Sequence, residues 1–371
     1  MDYAAELKSR EREGLLRQLR LRRRNCLEFS SNDYLGLAED RRLKDAAAEA
    51  AKTWGTGVSA SRLMCGTIPL HIELENELAQ LTVMESAILF GSGFLANLGL
   101  LSAVTGRDDV IFTDRLNHAS LIDGALMSRA SVYRYRHCDP DHLEHFLKKR
   151  NCRGNRYVVT DSLFSMDGDK APLRELDRLS EKYGCRLIVD EAHAIGVFGK
   201  GGGLCRELEV KPHALVGTLS KALGSYGGFV ACSEELRKFL VNRARTFIYS
   251  TGLPPATAAP ALKAANLVRE NPHWGAQLLE KSSKFRDMIK GAGYSTGPSC
   301  SQIVPVIIGS SRGAVALSQA LEERGISAVA VRPPTVPKNS ARLRFSVTRN
   351  HFRTDLSRVV QVLAVLEGRN E

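Results

Sequence analysis

Short apolar runs alternate with stretches of helical spacing from about residue 70 to residue 250, and this alternation limits the fold more than any other feature of the chain. Ala87–Phe90, Val110–Thr113, Tyr157–Asp161, Leu187–Asp190, Leu215–Thr218 and Gly228–Cys232 read as strands. Between them, His71–Met84, Phe94–Val104, Asp141–Lys149 and Leu173–Tyr183 carry helical periodicity. Such a pattern predicts an α/β fold, with helices on both faces of a mostly parallel sheet. Ligands in such sheets bind outside the carboxyl ends of the strands. Gly91-Ser92-Gly93, Asp190 and the loop before Lys221 all follow expected strands and can converge there.

The texture changes after Pro254-Pro255. Helical stretches at Ala256–Val268 and Trp274–Ala292 lead to strands at Gln302–Ile308, Ala328–Val331 and Arg342–Val347, with helices at Ala314–Arg324 and Phe352–Glu367. The expected organisation is an N-terminal helix and arm (1–40) packing with a smaller C-terminal α/β domain (251–371), and a large domain (41–250).

Composition narrows the class. A chain of 371 residues can bury a sizeable core, and 43% hydrophobic with 25% charged residues is ordinary for a soluble protein. No apolar stretch approaches a membrane span, and the N-terminus lacks an apolar signal core. Glu6, Glu11 and Glu13 argue against a transit peptide. The eight cysteines are scattered without a CxxC pair, which favours free thiols in a reducing cytoplasm. His142 and His145 sit among Asp141, Glu144 and Lys148, a solvated helix face rather than a metal site. The net charge is +11, and Arg10, Arg12, Arg17, Arg20, Arg22, Arg23 and Arg24 crowd the first two dozen residues. This run reads either as a solvated amphipathic helix with Leu7, Leu15, Leu16 and Leu19 on its apolar side, or as an attractor for an anionic partner: nucleic acid, a nucleotide-bearing thioester or an acidic carrier protein.

Chemistry enters with two residues. Lys221 lies in the run Gly217-Thr218-Leu219-Ser220-Lys221, and Asp190 closes the apolar run Leu187-Ile188-Val189. A lysine in a Gly/Ser-rich turn can serve as a Schiff-base amine. An aspartate ending a buried strand is the usual partner of a pyridinium nitrogen. Each alone has a bland reading, a solvated lysine or a helix cap. In this order, each behind an apolar strand, they point to pyridoxal 5′-phosphate (PLP).

Other residues fit that reading. Gly91-Ser92-Gly93 opens a helix after a strand, where backbone N–H groups can approach a phosphate. Phe94 beside it is either part of that site or core packing. His118 could stack on the cofactor ring, and His193 could bond the phenolic oxygen or orient Asp190. Thr218 and Ser220 could bind phosphate, and Ser165 is a site residue or a turn former. Arg342 and Arg344 share one face of a strand, and one of them can grip a carboxylate with its planar fork.

The runs Ser31–Leu37, Ser92-Gly93-Phe94, Asn117-His118-Ala119-Ser120, Phe164-Ser165-Met166-Asp167-Gly168, Asp190-Glu191-Ala192-His193, Gly217-Thr218-Leu219-Ser220-Lys221 and Tyr249-Ser250-Thr251 resemble those of the α-oxoamine synthases over nearly the whole chain. These are PLP enzymes of fold type I that condense an amino acid with an acyl thioester and release CO2. The resemblance implies that Gly93 and Phe94 bind the cofactor's phosphate end and that Ser165, His193 and Thr218 hold PLP. It implies Asp190 on the ring nitrogen, Lys221 as attachment point and base, and His118 stacked on the ring and touching substrate. It implies Arg17, Thr335 and Arg344 as substrate contacts, with Arg344 on the amino-acid carboxylate. A homodimer is implied, with Tyr249-Ser250-Thr251 reaching the neighbouring cofactor's phosphate. Ile303–Gly309 and Arg332–Pro337 favour the member that joins L-alanine to a pimeloyl thioester, on acyl carrier protein or coenzyme A, in biotin synthesis.

Two alternatives remain within reach of the sequence. A glycine C-acetyltransferase or another glycine/acyl-CoA synthase shares the motifs. Asp190-Glu191-Ala192-His193 also spells the DEAH box of an ATPase, but no Gly-x-x-x-x-Gly-Lys-[Ser/Thr] loop is present to hold a triphosphate.

Overall fold

In the computed structural model, which describes every residue except Met1, Gln18, Arg20, 22–24 and 368–371, the apolar runs form the strands of one large sheet. In chain order the strands are β1 (Leu27–Glu28), β2 (Ser86–Phe90), β3 (Val110–Asp114), β4 (Ser131–Tyr135), β5 (Arg156–Asp161), β6 (Cys185–Asp190), β7 (Ala214–Thr218), β8 (Gly228–Cys232), β9 (Ile303–Gly309), β10 (Ile326–Ser327), β11 (Val329–Val331) and β12 (Ala341–Ser346). Seven of them pair in the order β2-β8-β7-β6-β5-β3-β4. All run parallel except β8, which is antiparallel to both β2 and β7. Every position of β2, β3, β7 and β8 is buried. Each fully buried Val, Leu or Ile there contributes roughly 1.5–3 kcal/mol, which is why these strands read as unbroken apolar runs.

The edge strand β4 has no counterpart among the expected strands. Its Ser131-Val132-Tyr133-Arg134-Tyr135 is half solvated, so it lacks the apolar run that marks the others. At the other side of the sheet, Gly228 shows why β8 can lie where it does. A Cβ there would stand 2.4 Å from the Gly93 nitrogen, so the strand approaches the Gly91-Ser92-Gly93 turn only as glycine.

The chain divides into two compact units. The larger comprises residues 33–164 and 170–277 and carries the seven-stranded sheet. The smaller comprises residues 1–32, 165–169 and 278–371. It holds the antiparallel sheet β11-β12-β9 and the parallel pair β1–β10. Its core stacks Phe29 on Phe285 and His351 and sets it edge-to-face with Phe345.

The N-terminal helix differs from expectation. It spans Tyr3–Arg12 and buries none of its residues, and Gly14 at φ 68° turns the chain away before Leu15, Leu16 and Leu19 can extend an apolar face. Arg20 and Arg22–Arg24 of the basic run lie outside the described residues. All eight cysteines are free. Among the described residues no helix is long and apolar enough to cross a membrane.

Candidate active site

Strand register brings the first polar groups together in the larger unit. Asp161 at the end of β5 pairs level with Asp190 at the end of β6, and Asp190 pairs level with Val216, two residues before Thr218 on β7. All three strands are parallel, so these residues emerge at their carboxyl ends, where the topology places a ligand.

Asp190 is 5% exposed and its two oxygens are held separately. Oδ1 accepts the Ala192 N–H at 2.8 Å, and Oδ2 accepts from the Asn97 amide at 2.6 Å. Asn97 comes from the helix Gly93–Val104, and its Nδ2 also donates to Ser120 Oγ at 2.8 Å. Ser120 Oγ lies 2.8 Å from His118 Nδ1. The His118 N–H in turn donates to Asp161 Oδ2 at 2.7 Å. Burial lowers the His118 pKa, the Asp190 charge opposes that shift and the Lys221 charge reinforces it, so the neutral ring is favoured. Burial pushes the Asp161 carboxyl well up, and the neighbouring Asp190 charge pushes the same way.

Lys221 sits half-buried in the turn after β7, its carbonyl accepting the Gly224 N–H. Thr218 Oγ1 donates to the Gly227 carbonyl and shares a 2.8 Å hydrogen bond with Ser220 Oγ. Thr218 also lies against the phosphate-type turn: a Cβ at Gly93 would stand 3.4 Å from Thr218 Cβ. Ser92 caps the helix through the Leu95 N–H, which leaves the Gly93 and Phe94 N–H groups in a first turn with no carbonyl behind them. Phe94 is not core packing. It is 40% exposed and meets His118 edge-to-face, ring centroids 6.4 Å apart. His193 Nδ1 is 2.6 Å from the hydroxyl of the fully buried Tyr34.

This set fits PLP. A buried carboxylate held by N–H donors suits a pyridinium nitrogen, a helix N-terminus beside Thr218 and Ser220 suits a phosphate, and Lys221 offers an amine in the adjoining turn. The glycine contact between β8 and the turn keeps the backbone of that cradle open.

The smaller unit places the remaining expected residues. Arg344 is buried on β12, with Nε donating to the Ser165 carbonyl at 2.5 Å and Nη1 to Asn32 Oδ1 at 3.0 Å and Ser346 Oγ at 2.8 Å. Arg342, two residues before it, is ion-paired with Asp167. Arg17 Nη2 donates to Thr335 Oγ1 at 3.1 Å, so two residues 318 positions apart meet. The segment carrying Arg17 is tied to the same turn by Arg332, which donates to the Gly14 and Leu16 carbonyls.

Asn97, Ser120, Asp161 and Tyr34 are hydrogen-bonded to the expected site residues and have no role in the sequence reading. Three of them stand inside or beside recognisable runs, but an asparagine within an apolar helix carries no local sign of the carboxylate it will meet. Glu191 of the apparent DEAH box is fully buried and accepts from Ser162 Oγ and the Leu204 and Cys205 N–H groups, so it is a structural anchor. Among the described residues, the one cluster with metal-ligand spacing is Asp114, His137 and Cys138, where Asp114 is already bonded to the His137 ring and the Cys138 N–H.

Known proteins resemble this chain in sequence and in fold. The sequence profile of the aminotransferase class I and II family matches residues 24–363. A protein of Geobacillus kaustophilus provisionally named an 8-amino-7-oxononanoate synthase is 46% identical over 346 residues, covering 91% of this chain and 88% of its own. One of Bacillus cereus with the same name is 45% identical over 338 residues, covering 90% and 86%. Among solved structures, serine palmitoyltransferase from Sphingomonas wittichii superposes with a TM-score of 0.89 at 31% identity, covering 92% of this chain and 86% of that one. The 8-amino-7-oxononanoate synthase of Francisella tularensis gives 0.79 at 27% identity, covering 93% and 98%. The chain belongs to the class I and II aminotransferase family and, within it, to the α-oxoamine synthases: it is a PLP-dependent C-acyltransferase.

Proposed function

We propose that the enzyme condenses L-alanine with a pimeloyl thioester, on acyl carrier protein or coenzyme A, to give 8-amino-7-oxononanoate, CO2 and the free carrier, in the cytoplasm and as a homodimer. The names borne by the relatives at 46% and 45% identity support this substrate pair. The observation that carries the chemistry is the convergence of Asp190, Asn97, Ser120 and His118 in one hydrogen-bonded group at the strand ends.

Bound PLP supplies an electron sink for charge that develops at the amino acid's Cα. Lys221 would hold the cofactor's aldehyde, and its amine would take the Cα proton. Asp190 would face the ring nitrogen and favour its protonated form. His118 would cover the ring face and touch substrate. His193 and Ser165 would bond the ring's polar substituents, and Gly93, Phe94 and Thr218 would hold the phosphate. Arg342 is ion-paired with Asp167, and Arg344, the arginine that the family resemblance assigns, takes the alanine carboxylate, which leaves as CO2. Arg17 and Thr335 hold the acyl donor.

The closer superposition on serine palmitoyltransferase favours one second reading, a glycine C-acetyltransferase or another acyl-CoA synthase. Product analysis separates them. Alanine, glycine and serine are each offered with acetyl, pimeloyl and palmitoyl thioesters. One methyl group is worth about 1–3 kcal/mol in a pocket, so alanine is expected to exceed glycine by roughly 10- to 200-fold in kcat/KM with the pimeloyl donor. Faster turnover of glycine with acetyl-CoA would replace the proposal by the second reading.

A further inference from the structure

Asn97 is 1% exposed, and its amide has one bond arrangement that its neighbours explain. Nδ2 uses one hydrogen on Asp190 Oδ2 at 2.6 Å and the other on Ser120 Oγ at 2.8 Å. Its Oδ1 is buried with no partner. Rotating the amide by half a turn would give Oδ1 the Ser120 hydroxyl as donor, but would set a carbonyl against the Asp190 carboxylate. An orphaned buried carbonyl carries an uncompensated desolvation cost. The observed orientation is the one that sets an N–H, rather than a carbonyl, against the Asp190 carboxylate.

The orientation propagates. Ser120 Oγ accepts from Asn97, so its own hydrogen goes to His118 Nδ1, 2.8 Å away. The Ser120 backbone N–H also points at that nitrogen, at 3.3 Å. His118 Nδ1 is thus an acceptor twice over, and the proton of the neutral ring must sit on Nε2. The charged groups that face this ring are Asp190, Lys221 and Asp123, with Asp161 bonded to its backbone N–H.

We infer that Asn97 is a positioning residue which, through Ser120, couples the ionised state of Asp190 to the Nε2-protonated tautomer of His118. The inference rests on the roles given above to Asp190 and His118, and it adds a reason for both. One amide holds the carboxylate that faces the ring nitrogen and, through one hydroxyl, fixes which nitrogen of the stacking ring carries hydrogen. Neither Asn97 nor Ser120 needs to touch substrate for this.

The test reads His118 directly. Holoenzyme labelled with ¹⁵N-histidine is compared with Asn97→Ala, the isosteric Asn97→Asp and Ser120→Ala, the His118 signals being identified by their loss in His118→Asn. The parent should show a single Nε2–H tautomer at pH 7. Ser120→Ala and Asn97→Ala should show mixed tautomers and a His118 titration moved upward, because the donor that disfavoured Nδ1 protonation is gone or no longer aligned. Asn97→Asp puts a second carboxyl beside Asp190, the pair shares a proton, and the pH profile of the cofactor's visible band should move. Turnover should fall about 10- to 100-fold, the range seen when groups behind a ligating residue are removed, with a smaller change in the alanine KM. Should Asn97→Ala fail to fold, Ser120→Ala carries the decision. An unchanged Nε2–H tautomer and titration in Ser120→Ala, even with reduced turnover, would overturn the relay and leave a packing effect. Failure of the proposed substrate pair would show instead as no product from alanine and pimeloyl thioester, with the tautomer result untouched.

Discussion

Asp190 and Arg342 are buried to nearly the same degree, 5% and 3% exposed, one in each unit. Asp190 is held by uncharged N–H donors from Asn97 and Ala192, with a second carboxyl, Asp161, pushed well up beside it. Arg342 is answered by a carboxylate of opposite charge, Asp167. A buried charge neutralised in place is a structural device, because its partner has already met the cost of desolvation. A buried charge held by amides, next to groups whose protonation is perturbed, keeps its field available to a third party. Burial alone does not separate a reaction centre from an anchor; the identity of the partner does.

The largest effect expected from this contrast is at Asp190. Asp190→Asn keeps the shape but cannot hold a ring nitrogen protonated, so turnover should drop by several orders of magnitude while the circular dichroism spectrum and Tm stay near parental. Near-normal turnover would reduce Asp190 to a turn-capping role like that of its bond to Ala192.

The two strand arginines sharpen the comparison further. Arg344→Lys removes a planar fork worth roughly 1.5–3 kcal/mol on a carboxylate, so the alanine KM should rise about 10- to 100-fold. Arg342→Met removes the partner of Asp167, whose side chain is 20% exposed, and should lower Tm with a small effect on alanine KM. The reverse pattern, KM moving with Arg342 and Tm with Arg344, would exchange their roles.

His351 offers a purely structural histidine to set beside His118. It stacks on Phe29 at 4.1 Å, its Nδ1 accepts the Thr348 N–H and its Nε2 lies 3.1 Å from the Glu28 carbonyl. Burial pushes its pKa down to about 4 from the ordinary 6.5. The folded state resists the proton that the unfolded chain accepts, so this contribution is complete above pH 6.5 and is lost as pH falls towards 4. Across that window it amounts to about 3 kcal/mol. Denaturant titrations at pH 7 and pH 4.5 should show that loss, smaller in His351→Asn; equal losses would remove His351 as its source. The smallest effect expected is electrostatic. If an acidic carrier protein is the donor, kcat/KM for it should fall with salt, and replacing Arg22, Arg23 and Arg24 by glutamine should flatten that slope. Equal slopes would leave those arginines as a solvated face.

The strands of the large sheet are legible because burial on both faces writes an unbroken apolar run, and Asp190 and Lys221 draw notice because one ends such a run and the other stands in the turn after one. The edge strand β4, with Tyr133 and Arg134 partly in solvent, leaves no such mark. Asn97, Ser120 and Asp161 acquire their roles only when three strand ends and two helix starts converge, a property of the tertiary fold that no window of sequence contains. The expected helix through Leu19 failed for a local reason, the positive φ at Gly14. The Arg17–Thr335 bond spans 318 residues and was approached only through resemblance.

The most direct measurement is of where the cofactor is attached. Holoenzyme reduced with borohydride, digested and mapped by mass spectrometry should carry the pyridoxyl group on the peptide containing Lys221, with the visible band lost in parallel. Lys221→Ala should show no covalent label and no turnover. A label on any other of the chain's lysines would contradict the placement of the reaction centre at the carboxyl ends of β5, β6 and β7.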